Sequence, residues 1–435
     1  MTQETSPLNE GQQKAAEQIF AFLVGPDKEM NLSGPGGSGK THLMGHIIDK
    51  VIPEVQKIAE LVQSPVQLHD VQMCATTNKA AEVLGKSVKR PTDTVHSAFG
   101  LTVKTDYKTG KTSTVRSKKW SMKHNTVFFI DEAYGMDSQL RNIILDSTQN
   151  CKIINVGDHC QLGPIFENIS PIHTAGLPTA YLTEQMRNRN QPALKAICEQ
   201  LRRTVETGVF EPIKRVPGVI DFMDENEFSN EICHLLGSPT EDNLHKIIAY
   251  DNNRVLQYTE HLRFVRGLGD QLEAGEKLVN NTMYQDGGKM MSVEEEVEVL
   301  SIRDRIDTES VTPDATFTVR RADLKTQWGG VIADVPIPTD VAHFQALKAW
   351  YKRNKNWYAF YAMQERFPDL RMREASTVHK AQGSTHDTIL IDLGNLSACP
   401  NPLVAARLLY VAFSRARNRV ICFGDLAKKY GGLIG

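Results

Sequence analysis

The sequence predicts an α/β protein that contains two parallel β-sheets, each with its own core. Short apolar runs, as expected for strands that are buried on both faces, alternate along the chain with stretches of helical periodicity. These runs lie in two groups, near residues 71–75, 127–130 and 153–156 and near residues 247–250, 388–391 and 420–423. Because the groups belong to different halves of a 435-residue chain, two sheets are more plausible than one very large sheet.

The composition is that of an ordinary soluble globular protein, with 40% hydrophobic and 23% charged residues and a formal net charge of −2. No apolar run approaches the roughly 18 residues of a membrane span, and residues 1–10 lack the pattern of a signal peptide. The seven cysteines form no spaced pairs, which argues against a disulfide framework and against a zinc ribbon. We therefore expect a protein of a reducing cytoplasm that has no membrane contact.

A glycine-rich segment near the start of the chain has the spacing of a phosphate-binding loop. Four residues separate Gly34 from Gly39, and Lys40 and Thr41 follow directly. Glycines let backbone N–H groups point toward an anion at the start of the next helix. Lys40 would contact the β- and γ-phosphates, and the Thr41 hydroxyl would bind Mg²⁺. The predicted nucleotide-binding residues of this loop are Gly34, Pro35, Gly36, Gly37, Ser38, Gly39, Lys40 and Thr41.

Three polar residues after later predicted strands fit the same chemistry. The run near 127–130 leads into Asp131 and Glu132, which places two carboxylates at the sheet edge where α/β proteins bind ligands. Asp131 would hold Mg²⁺ through its water shell, and Glu132 would orient and deprotonate the attacking water. Gln161, in the segment VGDHCQLGP, would hydrogen-bond the γ-phosphate and respond to its loss. Each signal is weak alone, but together with the phosphate loop they predict nucleotide hydrolysis.

Two arginines suggest that the second sheet completes this site. Arg187 ends the segment LTEQMR, and Arg415 lies in LLYVAFSRAR. Arginines beside apolar segments need partners. If the two sheets face each other across a cleft, both guanidinium groups can reach the γ-phosphate as arginine fingers, which typically contribute about 10³–10⁵ in rate. The nucleotide would then bridge two domains, and its hydrolysis would open and close the cleft, as in a motor.

Two segments break the alternation of strands and helices. Residues 101–116 have β-branched residues on both sides of a Lys-Thr-Gly-Lys tetrapeptide, which predicts a β-hairpin. Strand-like runs at 294–300 and 316–321 have no helical crossovers, and a helical stretch follows at 344–367. The predicted domains are 1–180 with an insertion at 100–120, a second domain made of 181–273 and 374–435, and an inserted β-rich domain with a helical appendage at 274–373.

Nine short motifs occur in the order and with the spacing of superfamily 1 DNA helicases. They are LNEGQ, GPGGSGKT, ATTNKAA, TVHSAF, DEAY, GDHCQLGP, LTEQMR, STVHKAQGST and YVAFSRAR. The chain most resembles the 5′→3′ branch that contains the RecD-like helicases and the Dda helicase of T-even phages. This resemblance spans essentially the whole chain and is much more specific than the phosphate loop alone. It implies two RecA-like motor domains, a strand-separating pin at the hairpin and a small SH3-like insertion in the second motor domain.

The resemblance also implies roles for individual residues. Gln12 resembles the glutamine that reads adenine in this family, and Gly383 resembles a nucleotide contact that couples DNA binding to ATP. The ATPase roles of Lys40, Thr41, Asp131, Glu132, Gln161, Arg187 and Arg415 match those argued above from chemistry. Contacts with single-stranded DNA are implied for Thr76, Thr77, Asn78, Thr94, His96 and Ser97 in the first domain and for Thr377, His379 and Lys380 in the second.

Aromatic residues are candidates for stacking on bases, an interaction worth about 1–3 kcal/mol per base. We predict such a DNA contact for Phe99. A second set lies in the helical stretch and consists of Trp350, Tyr351, Trp357, Tyr358 and Tyr361. For this set we favour packing against a neighbouring domain, where the rings would brace the hairpin.

The predicted function is an ATP-dependent DNA helicase that uses ATP and Mg²⁺, moves 5′→3′ on single-stranded DNA and unwinds duplex DNA. The expected partners are single-stranded DNA, junctions of single-stranded and duplex DNA, a single-strand-binding protein and proteins of replication or recombination. By resemblance, we expect a monomer that is encoded by a phage and acts in the cytoplasm of its host.

Two other classes of function are open at this point. A phosphate-loop ATPase or kinase that acts on something other than nucleic acid would not need the segments TVHSAF and HKAQGST. A nucleic-acid-binding module that keeps ATP as a structural ligand would not need Glu132 or the two arginines. RNA is harder to exclude as the track, because contacts with a backbone discriminate less than contacts with bases do.

Overall fold

The computed structural model describes residues 7–64, 67–164, 167, 169–184, 191–239, 242–313 and 315–435. In this part of the chain, two parallel β-sheets and one antiparallel β-sheet form the framework, and helices pack around them. None of the helices described is both long enough and apolar enough to cross a membrane.

The first parallel sheet is built from strands in residues 29–181. The strands of this region are β1 (Glu29–Ser33), β2 (Asp70–Ala75), β3 (Asp93–Thr94), β4 (Leu101–Asp106), β5 (Lys111–Arg116), β6 (Lys123–His124), β7 (Thr126–Asp131), β8 (Thr148–Gln149), β9 (Lys152–Gly157) and β10 (Thr179–Tyr181). The helices are α1 (Glu10–Val24), α2 (Lys40–His46), α3 (Ile52–Leu61), α4 (Asn78–Val88), α5 (Val95–Ala98), α6 (Ser138–Asp146) and α7 (Pro171–Thr174). A π-helical turn (Ile47–Val51) joins α2 to α3, and a 3₁₀ turn (Ala133–Gly135) follows β7. Six strands pair in parallel, in the order β10, β1, β9, β7, β2, β3.

The centre of this sheet is formed by strands whose side chains are buried on both faces. Every residue of β1 and of β9 is buried, as expected for a parallel sheet covered by helices on both sides. The helix before β1 begins with a capping box, in which Asn9 and Gln12 each accept the other's backbone N–H. Because all six strands run in one direction, the loops after β1, β2, β7 and β9 meet at one edge of the sheet.

The remaining strands form the other two sheets. They are β11 (Ile213–Lys214), β12 (Ile220–Met223), β13 (His245–Ala249), β14 (Lys277–Asn280), β15 (Tyr284–Asp286), β16 (Lys289–Met291), β17 (Glu296–Thr312), β18 (Ala315–Thr326), β19 (Val331–Pro338), β20 (Leu370–Met372), β21 (Ala375–Thr377), β22 (His386–Asp392), β23 (Ala416–Phe423) and β24 (Leu433–Ile434). The helices are α8 (Pro192–Thr207), α9 (Glu225–Leu236), α10 (Asn252–Val265), α11 (Val341–Arg353), α12 (Trp357–Arg366), α13 (Val378–Ala381), α14 (Leu393–Leu396) and α15 (Pro402–Phe413), and a 3₁₀ turn (Lys428–Tyr430) precedes β24.

The second parallel sheet has the strand order β12, β23, β22, β13, β21. Helices α8 and α15 pack on it, and eight of the twelve residues of α15 are buried. The predicted α/β class with two parallel sheets is therefore confirmed. The three sheets lie within residues 29–181, 220–423 and 277–372, and the finer domain bounds at 180, 273 and 373 stay a prediction.

The antiparallel sheet interrupts the second parallel sheet. Its strand order is β19, β18, β17, β14, β20, so the first and last strands of the interrupting segment are hydrogen-bonded neighbours. Helices α11 and α12 follow β19. They pack on the antiparallel sheet through an aromatic core, to which β18 contributes Phe317 and Val319. The helical stretch predicted at 344–367 is thus two helices, and Lys355 between them has a φ of +55°. No glycine or proline marks this break, which is why the sequence did not indicate it.

Strands β4 and β5 form an isolated antiparallel hairpin at residues 101–116. The pairing runs from Leu101 opposite Arg116 to Asp106 opposite Lys111. At the turn, the backbone N–H of Gly110 donates to the carbonyl oxygen of Asp106 at 2.7 Å. The side chains of Lys104, Lys108 and Lys111 are exposed. The hairpin therefore projects a basic surface away from the first sheet.

Candidate active site and nucleic-acid interface

The loop after β1 wraps around the side chain of Lys40. The Nζ atom of Lys40 donates hydrogen bonds to the carbonyl oxygens of Gly34 at 2.7 Å and Pro35 at 3.1 Å. Gly39 has a φ of +85°, and a Cβ atom at this position would lie 2.3 Å from Nε2 of Gln12. Glycine is required there both for the backbone conformation and for the close approach. The loop leads directly into the start of α2, an arrangement suited to binding phosphate.

Gln12, the predicted adenine contact, lies beside this loop. Its Nε2 atom is 3.5 Å from the carbonyl oxygen of Gly39, and its Oε1 atom accepts the N–H of Asn9 at 3.1 Å. Two buried polar atoms of the predicted site, Ser38 Oγ and Gln161 Oε1, have no hydrogen-bond partner within the described ranges. Buried polar atoms normally have a partner. A bound nucleotide would provide one, so these residues fit an ATP site.

Asp131 and Glu132 lie at the carboxyl end of β7, near the phosphate loop. The Oδ1 atom of Asp131 accepts the backbone N–H of Glu132 at 3.0 Å. Burial, and then the charge of Glu132, raise the pKa of Asp131 to about 7, while the charge of Lys40 opposes this shift. The carboxylate of Asp131 is therefore within electrostatic reach of Lys40. Asp131 and Thr41, in the first turn of α2, would hold Mg²⁺, which neutralises phosphate charge.

Glu132 is also a point of contact with the second parallel sheet. The Nε2 atom of Gln382 donates to Oε2 of Glu132 at 3.3 Å. Gly383, the next residue, is exposed and has a φ of +83°. On the other side, the Oγ1 atom of Thr76 donates to the backbone carbonyl oxygen of Glu132 at 3.3 Å. The predicted general base therefore lies between two segments that are predicted to contact DNA.

Arg415 approaches the same region from the second sheet. Its side chain is buried, with Nε donating to the carbonyl oxygen of Val411 at 3.1 Å and Nη1 to that of Ser384 at 3.2 Å. Burial lowers the pKa of Arg415, and the charge of Glu132 is the strongest effect that opposes this. The guanidinium group is thus within electrostatic reach of the predicted general base. Arg187, the other predicted arginine finger, lies outside the described residues.

A buried network that the sequence did not reveal joins the two parallel sheets. Asp158, directly after β9, accepts hydrogen bonds from Nη1 of Arg202 at 2.8 Å and from the hydroxyl of Tyr410 at 2.6 Å. The Nη1 atom of Arg407 donates to the backbone carbonyl oxygen of Gln161 at 2.6 Å. Arg202 belongs to α8, and Arg407 and Tyr410 belong to α15. The only signal in the sequence was an aspartate inside the segment that contains Gln161.

The six predicted DNA contacts of the first domain lie together at the ends of β2 and β3. These strands are neighbours, and Ala75 lies opposite Thr94. Thr77 accepts an N–H at the start of α4, and Thr94 does the same at the start of α5. The six residues that share this edge are Thr76, Thr77, Asn78, Thr94, His96 and Ser97. Hydroxyl groups and helix starts on one exposed edge suit the phosphates of a nucleic acid.

The three predicted DNA contacts of the second domain lie around α13. Thr377 accepts the backbone N–H of Lys380 at 3.4 Å and so caps this helix. The Nζ atom of Lys380 donates to the carbonyl oxygen of Asn281 at 3.3 Å, and burial lowers the pKa of Lys380. His379 is exposed. The structure thus brings Thr377, His379 and Lys380 together at the end of β21.

Two further lysines, which the sequence did not single out, add positive charge between the sheets. Lys246, in β13, is buried and donates to the carbonyl oxygen of Arg373 at 2.9 Å. Burial, and then the charge of Lys79 in α4, lower its pKa to about 8. Lys79 comes from the first half of the chain and Lys246 from the second. A lysine at the start of an otherwise apolar strand was the only signal for Lys246.

The structure contradicts the prediction that Phe99 contacts DNA. Its side chain is fully buried, and its ring centroid lies 4.8 Å from that of Phe128 in the core of the first sheet. A ring in this position cannot reach a base. Phe99 follows the short helix α5, and packing against Phe128 draws it into the core.

The aromatic residues of α12 contact the tip of the β4–β5 hairpin. The hydroxyl of Tyr361 donates to the carbonyl oxygen of Gly110 at 2.9 Å. Tyr107 meets Tyr358 and Tyr361 edge to face, with ring centroids 5.9 and 6.1 Å apart. A Cβ atom on Gly110 would lie 2.3 Å from the ring of Trp357. Packing at the hairpin is present for Trp357, Tyr358 and Tyr361, whereas Tyr351 packs in the aromatic core beside β18. Tyr358, with 63% of its surface exposed, is the ring of the set most accessible to solvent.

Comparisons with known proteins agree with this architecture. A family model described as an AAA domain matches residues 7–216, and one described as a UvrD-like helicase C-terminal domain matches residues 374–422. The ATP-dependent DNA helicase dda of Enterobacteria phage T4 is 23% identical over 455 residues, which cover 95% of this chain and 98% of that protein. The structure of Bacteroides Pif1 bound to single-stranded DNA aligns with a TM-score of 0.53 and 16% identity, covering 99% of this chain and 94% of that one. Bacteroides Pif1 with ADP-AlF3 and single-stranded DNA gives a TM-score of 0.52 and 15% identity, with coverages of 99% and 95%.

The fold is that of the Pif1 helicase structures, with two parallel sheets of the RecA-like kind and a phosphate loop after the first strand. Over nearly its whole length the chain is similar to superfamily 1 helicases of the Dda and Pif1 kind.

Proposed function

We propose that this protein is an ATP-dependent DNA helicase that moves 5′→3′ along single-stranded DNA and unwinds the duplex ahead of it. The observation that carries the proposal is the hydrogen bond between Gln382 and Glu132. It links the segment at 377–380, which is predicted to bind DNA, to the predicted general base on the first sheet. Such a contact lets DNA binding and ATP hydrolysis affect each other. The direction of movement is inferred from the helicase branch that the motifs resemble.

In this proposal the nucleotide lies between the two parallel sheets. Gln12 contacts the adenine, the loop at 34–41 holds the phosphates, and Thr41 and Asp131 hold Mg²⁺. Glu132 accepts a proton from the attacking water, while Gln161 and Gly383 respond to the γ-phosphate. Arg187 and Arg415 stabilise the charge that develops on the transferred phosphoryl group. The proposed DNA contacts are Thr76, Thr77, Asn78, Thr94, His96, Ser97, Thr377, His379 and Lys380.

We further propose that the protein is encoded by a phage and acts in the cytoplasm of its host, in replication or recombination. The similarity to the phage T4 helicase supports this setting. A single-strand-binding protein is the partner we expect there, because the proposed substrate is single-stranded DNA and its junction with a duplex. One chain supplies both sheets, so a monomer has both walls of the proposed cleft.

The proposed function is tested by the rate of ATP hydrolysis with and without single-stranded DNA. We expect DNA to raise the rate strongly, because DNA contacts and the general base meet at Glu132. An ATPase rate that is indifferent to DNA would instead favour a phosphate-loop ATPase that acts on another substrate. Product analysis for a transferred phosphate would then identify a kinase. Replacing the DNA with RNA of the same sequence tests which nucleic acid is the track.

Replacement of Lys40 separates hydrolysis from DNA binding. We expect Lys40→Ala to lower the ATPase rate by about 10²–10³, because a charge at the phosphates is lost. Binding of a labelled oligonucleotide should stay within about twofold of the unchanged protein, since the predicted DNA contacts lie on other loops. Lys57→Ala, at an exposed position of α3, is the matched control and should change neither quantity. Loss of DNA binding in Lys40→Ala would contradict this separation of roles.

The direction of movement is tested with duplexes that carry one single-stranded tail. We expect unwinding of a duplex with a 5′ tail and little unwinding of the same duplex with a 3′ tail. The opposite preference would overturn the proposed direction but leave the proposed motor intact.

A further inference from the structure

Asp158 is an enclosed carboxylate at the contact between the two parallel sheets. It is 1% exposed, although it directly follows the last residue of β9. Its Oδ1 atom accepts from Arg202 at 2.8 Å, and its Oδ2 atom accepts from the Tyr410 hydroxyl at 2.6 Å. Both partners come from helices that pack on the second parallel sheet. A buried charge needs such partners, so this carboxylate ties the two parallel sheets together.

The two partners of Asp158 each hold one protonation state. Burial, and then the Asp158 carboxylate, raise the pKa of Tyr410 well above its ordinary value. Burial alone would lower the pKa of Arg202, but the combined effects of Asp158, Cys160 and Tyr410, led by the charge of Asp158, outweigh burial and raise this pKa. Tyr410 therefore remains a hydrogen-bond donor, and Arg202 remains charged, throughout the neutral range.

Asp158 also shapes the loop that carries Gln161. Its backbone carbonyl oxygen accepts the N–H of Gln161 at 3.0 Å, and its Oδ1 atom accepts the N–H of Cys160 at 3.1 Å. Arg407, one turn before Tyr410 in α15, donates to the carbonyl oxygen of Gln161 at 2.6 Å. Helix α15 ends two residues before Arg415. The same helix thus holds the Gln161 loop and leads into the proposed arginine finger.

We propose that Asp158, Arg202 and Tyr410 form an interdomain clamp that sets the position of Gln161 relative to Arg415 when the nucleotide cleft closes. This inference rests on the proposed function, which gives Gln161 and Arg415 their roles at the γ-phosphate. The clamp residues are positioning residues, because they act through Gln161 and Arg415. The clamp acts on the rate of hydrolysis more than on ATP binding, since the hydrogen bonds that Asp158 accepts from Arg202 and Tyr410 involve no residue of the phosphate loop.

A metal ion is the alternative occupant of this region. Asp158, His159 and Cys160 have possible ligand atoms within 4.8 Å of one another. However, Arg202 already lies against them, with Nη1 on Asp158 and Nη2 3.3 Å from Nδ1 of His159. A cation at this position would meet the guanidinium charge. The arrangement therefore favours the clamp over a metal site.

The chain contains a second triad of the same chemistry that serves as a control. Asp392 is 2% exposed and accepts hydrogen bonds from Nε of Arg254 at 2.6 Å and from the Tyr258 hydroxyl at 2.7 Å. All three residues belong to the second half and surround the second parallel sheet. Removal of the Tyr258 hydroxyl therefore reproduces the loss of one buried hydrogen bond without affecting the contact between the sheets.

The test compares Tyr410→Phe with Tyr258→Phe in the full chain. Tyr410→Phe should lower kcat of the DNA-stimulated ATPase about tenfold, as expected when a hydrogen bond to a buried charge is lost. KM for ATP should stay within about twofold, because the phosphate loop is unchanged. Tyr410→Phe and Tyr258→Phe should lower the melting temperature to a similar extent, because each loses one buried hydrogen bond. Tyr258→Phe should leave kcat unchanged. An unchanged kcat in Tyr410→Phe, or equal losses in both variants, would overturn the clamp.

Hydrogen exchange provides a readout that does not depend on catalysis. In Tyr410→Phe, amides of residues 152–164 and 402–415 should lose protection together, whereas in Tyr258→Phe they should keep it. Asp158→Asn, with Asp392→Asn as its control, should repeat this pattern. If the unchanged protein shows no stimulation by DNA, the proposed motor fails, while the exchange data still decide whether the clamp holds the two segments. Independent exchange of the two segments would refute the clamp alone.

Discussion

At the scale of single residues, His386 supports Arg415 without taking part in the predicted chemistry. It is 5% exposed, with Nδ1 2.8 Å from the carbonyl oxygen of Asn243 and Nε2 3.0 Å from Oγ of Ser384. Its backbone N–H donates to the carbonyl oxygen of Arg415 at 2.9 Å. In a neutral ring, Nδ1 donates to the carbonyl oxygen of Asn243, and the single Ser384 hydroxyl hydrogen is shared between Nε2 and the carbonyl oxygen of Ala381, which lies 2.8 Å from Oγ. His386 thus holds the first residue of β22 in place, and the backbone of Arg415 is hydrogen-bonded to that residue.

The protonation of His386 predicts a loss of stability in acid. Burial, and then the charge of Lys246, lower its pKa from 6.5 to about 3, so the unfolded chain binds more protons between these values. The free energy of unfolding should therefore fall as the pH drops from 6.5 toward 3, by up to about 1.4 kcal/mol per pH unit from this residue. Urea unfolding of His386→Gln between about pH 5 and pH 7 should lack this component. His124 is exposed, so His124→Gln should keep the pH dependence of the unchanged protein. If the free energy of unfolding changes with pH in the same way in the unchanged protein and in both variants, the pH dependence does not come from His386.

Residues of the nucleotide site could be predicted because their signals lie within a few positions of one another. Lys40 and Thr41 follow Gly39 directly, and Asp131 and Glu132 end an apolar run. The partners Asp158 and Arg202, in contrast, are 44 positions apart, and no local pattern pairs them. The error at Phe99 has a related cause, because a motif does not tell which side of a sheet a ring will face.

At the scale of elements, the hairpin β4–β5 and the helix α12 act as one unit. The two strands of the hairpin are easy to predict from their β-branched residues. The contact between the hairpin and α12 is not, because Gly110 and Tyr361 are 251 positions apart. The helix is anchored in turn by an aromatic core that includes Phe317 and Phe344. A hairpin of two strands is marginally stable alone, so the contact with α12 stabilises its tip. The resemblance predicts that this tip separates the strands of a duplex, and α12 would then support it.

Gly110→Ala should weaken strand separation without stopping the motor. Gly110 has a φ of +72°, and an added Cβ would also meet the ring of Trp357. Loss of this aromatic contact should slow unwinding of a forked duplex about tenfold. ATPase activity with single-stranded DNA should remain within about twofold, since hydrolysis occurs at a separate site.

Gly329→Ala is the matched control for this prediction. Gly329 also lies in a hairpin turn, with a φ of +80°, but no atom lies within 4 Å of its added Cβ. It should therefore reproduce the backbone strain alone and leave unwinding unchanged. Equal losses of unwinding in the two variants would show that the contact with α12 has no role.

At the scale of the whole molecule, the part of the chain that forms the first parallel sheet has contacts of different kinds with the two other sheets. It meets the second parallel sheet through Gln382 and the antiparallel sheet through Gln327, which lies between β18 and β19. Gln382 touches Glu132 inside the predicted site, while Nε2 of Gln327 donates to Oε2 of Glu82 at 3.2 Å on the exposed surface. The strand patterns predicted both sheets, but the sequence did not show how they face each other, because that depends on side chains that are distant along the chain. The contact between Gln382 and Glu132 is therefore the one that could couple DNA binding to hydrolysis.

Gln382→Ala should uncouple DNA binding from hydrolysis. Loss of the hydrogen bond to Glu132 should lower the DNA-stimulated ATPase rate about tenfold and leave the rate without DNA within about twofold. Gln327→Ala removes a hydrogen bond of the same type from an exposed position and should change neither rate. A fall of both rates by the same factor in Gln382→Ala would mean that Gln382 serves Glu132 directly and does not transmit DNA binding.

The pairing of β14 with β20 has a consequence for the evolution of this protein. Leu278 lies opposite Met372, so the interrupting segment departs and returns at adjacent positions of one sheet. The hydrogen bonds of the second parallel sheet, such as those between β13 and β21, lie outside that segment. Evolution could therefore add, enlarge or exchange the whole attachment as a module. An ancestral protein could thus gain the helix that supports its hairpin by a single insertion, without a change in the strand pairing of the second parallel sheet.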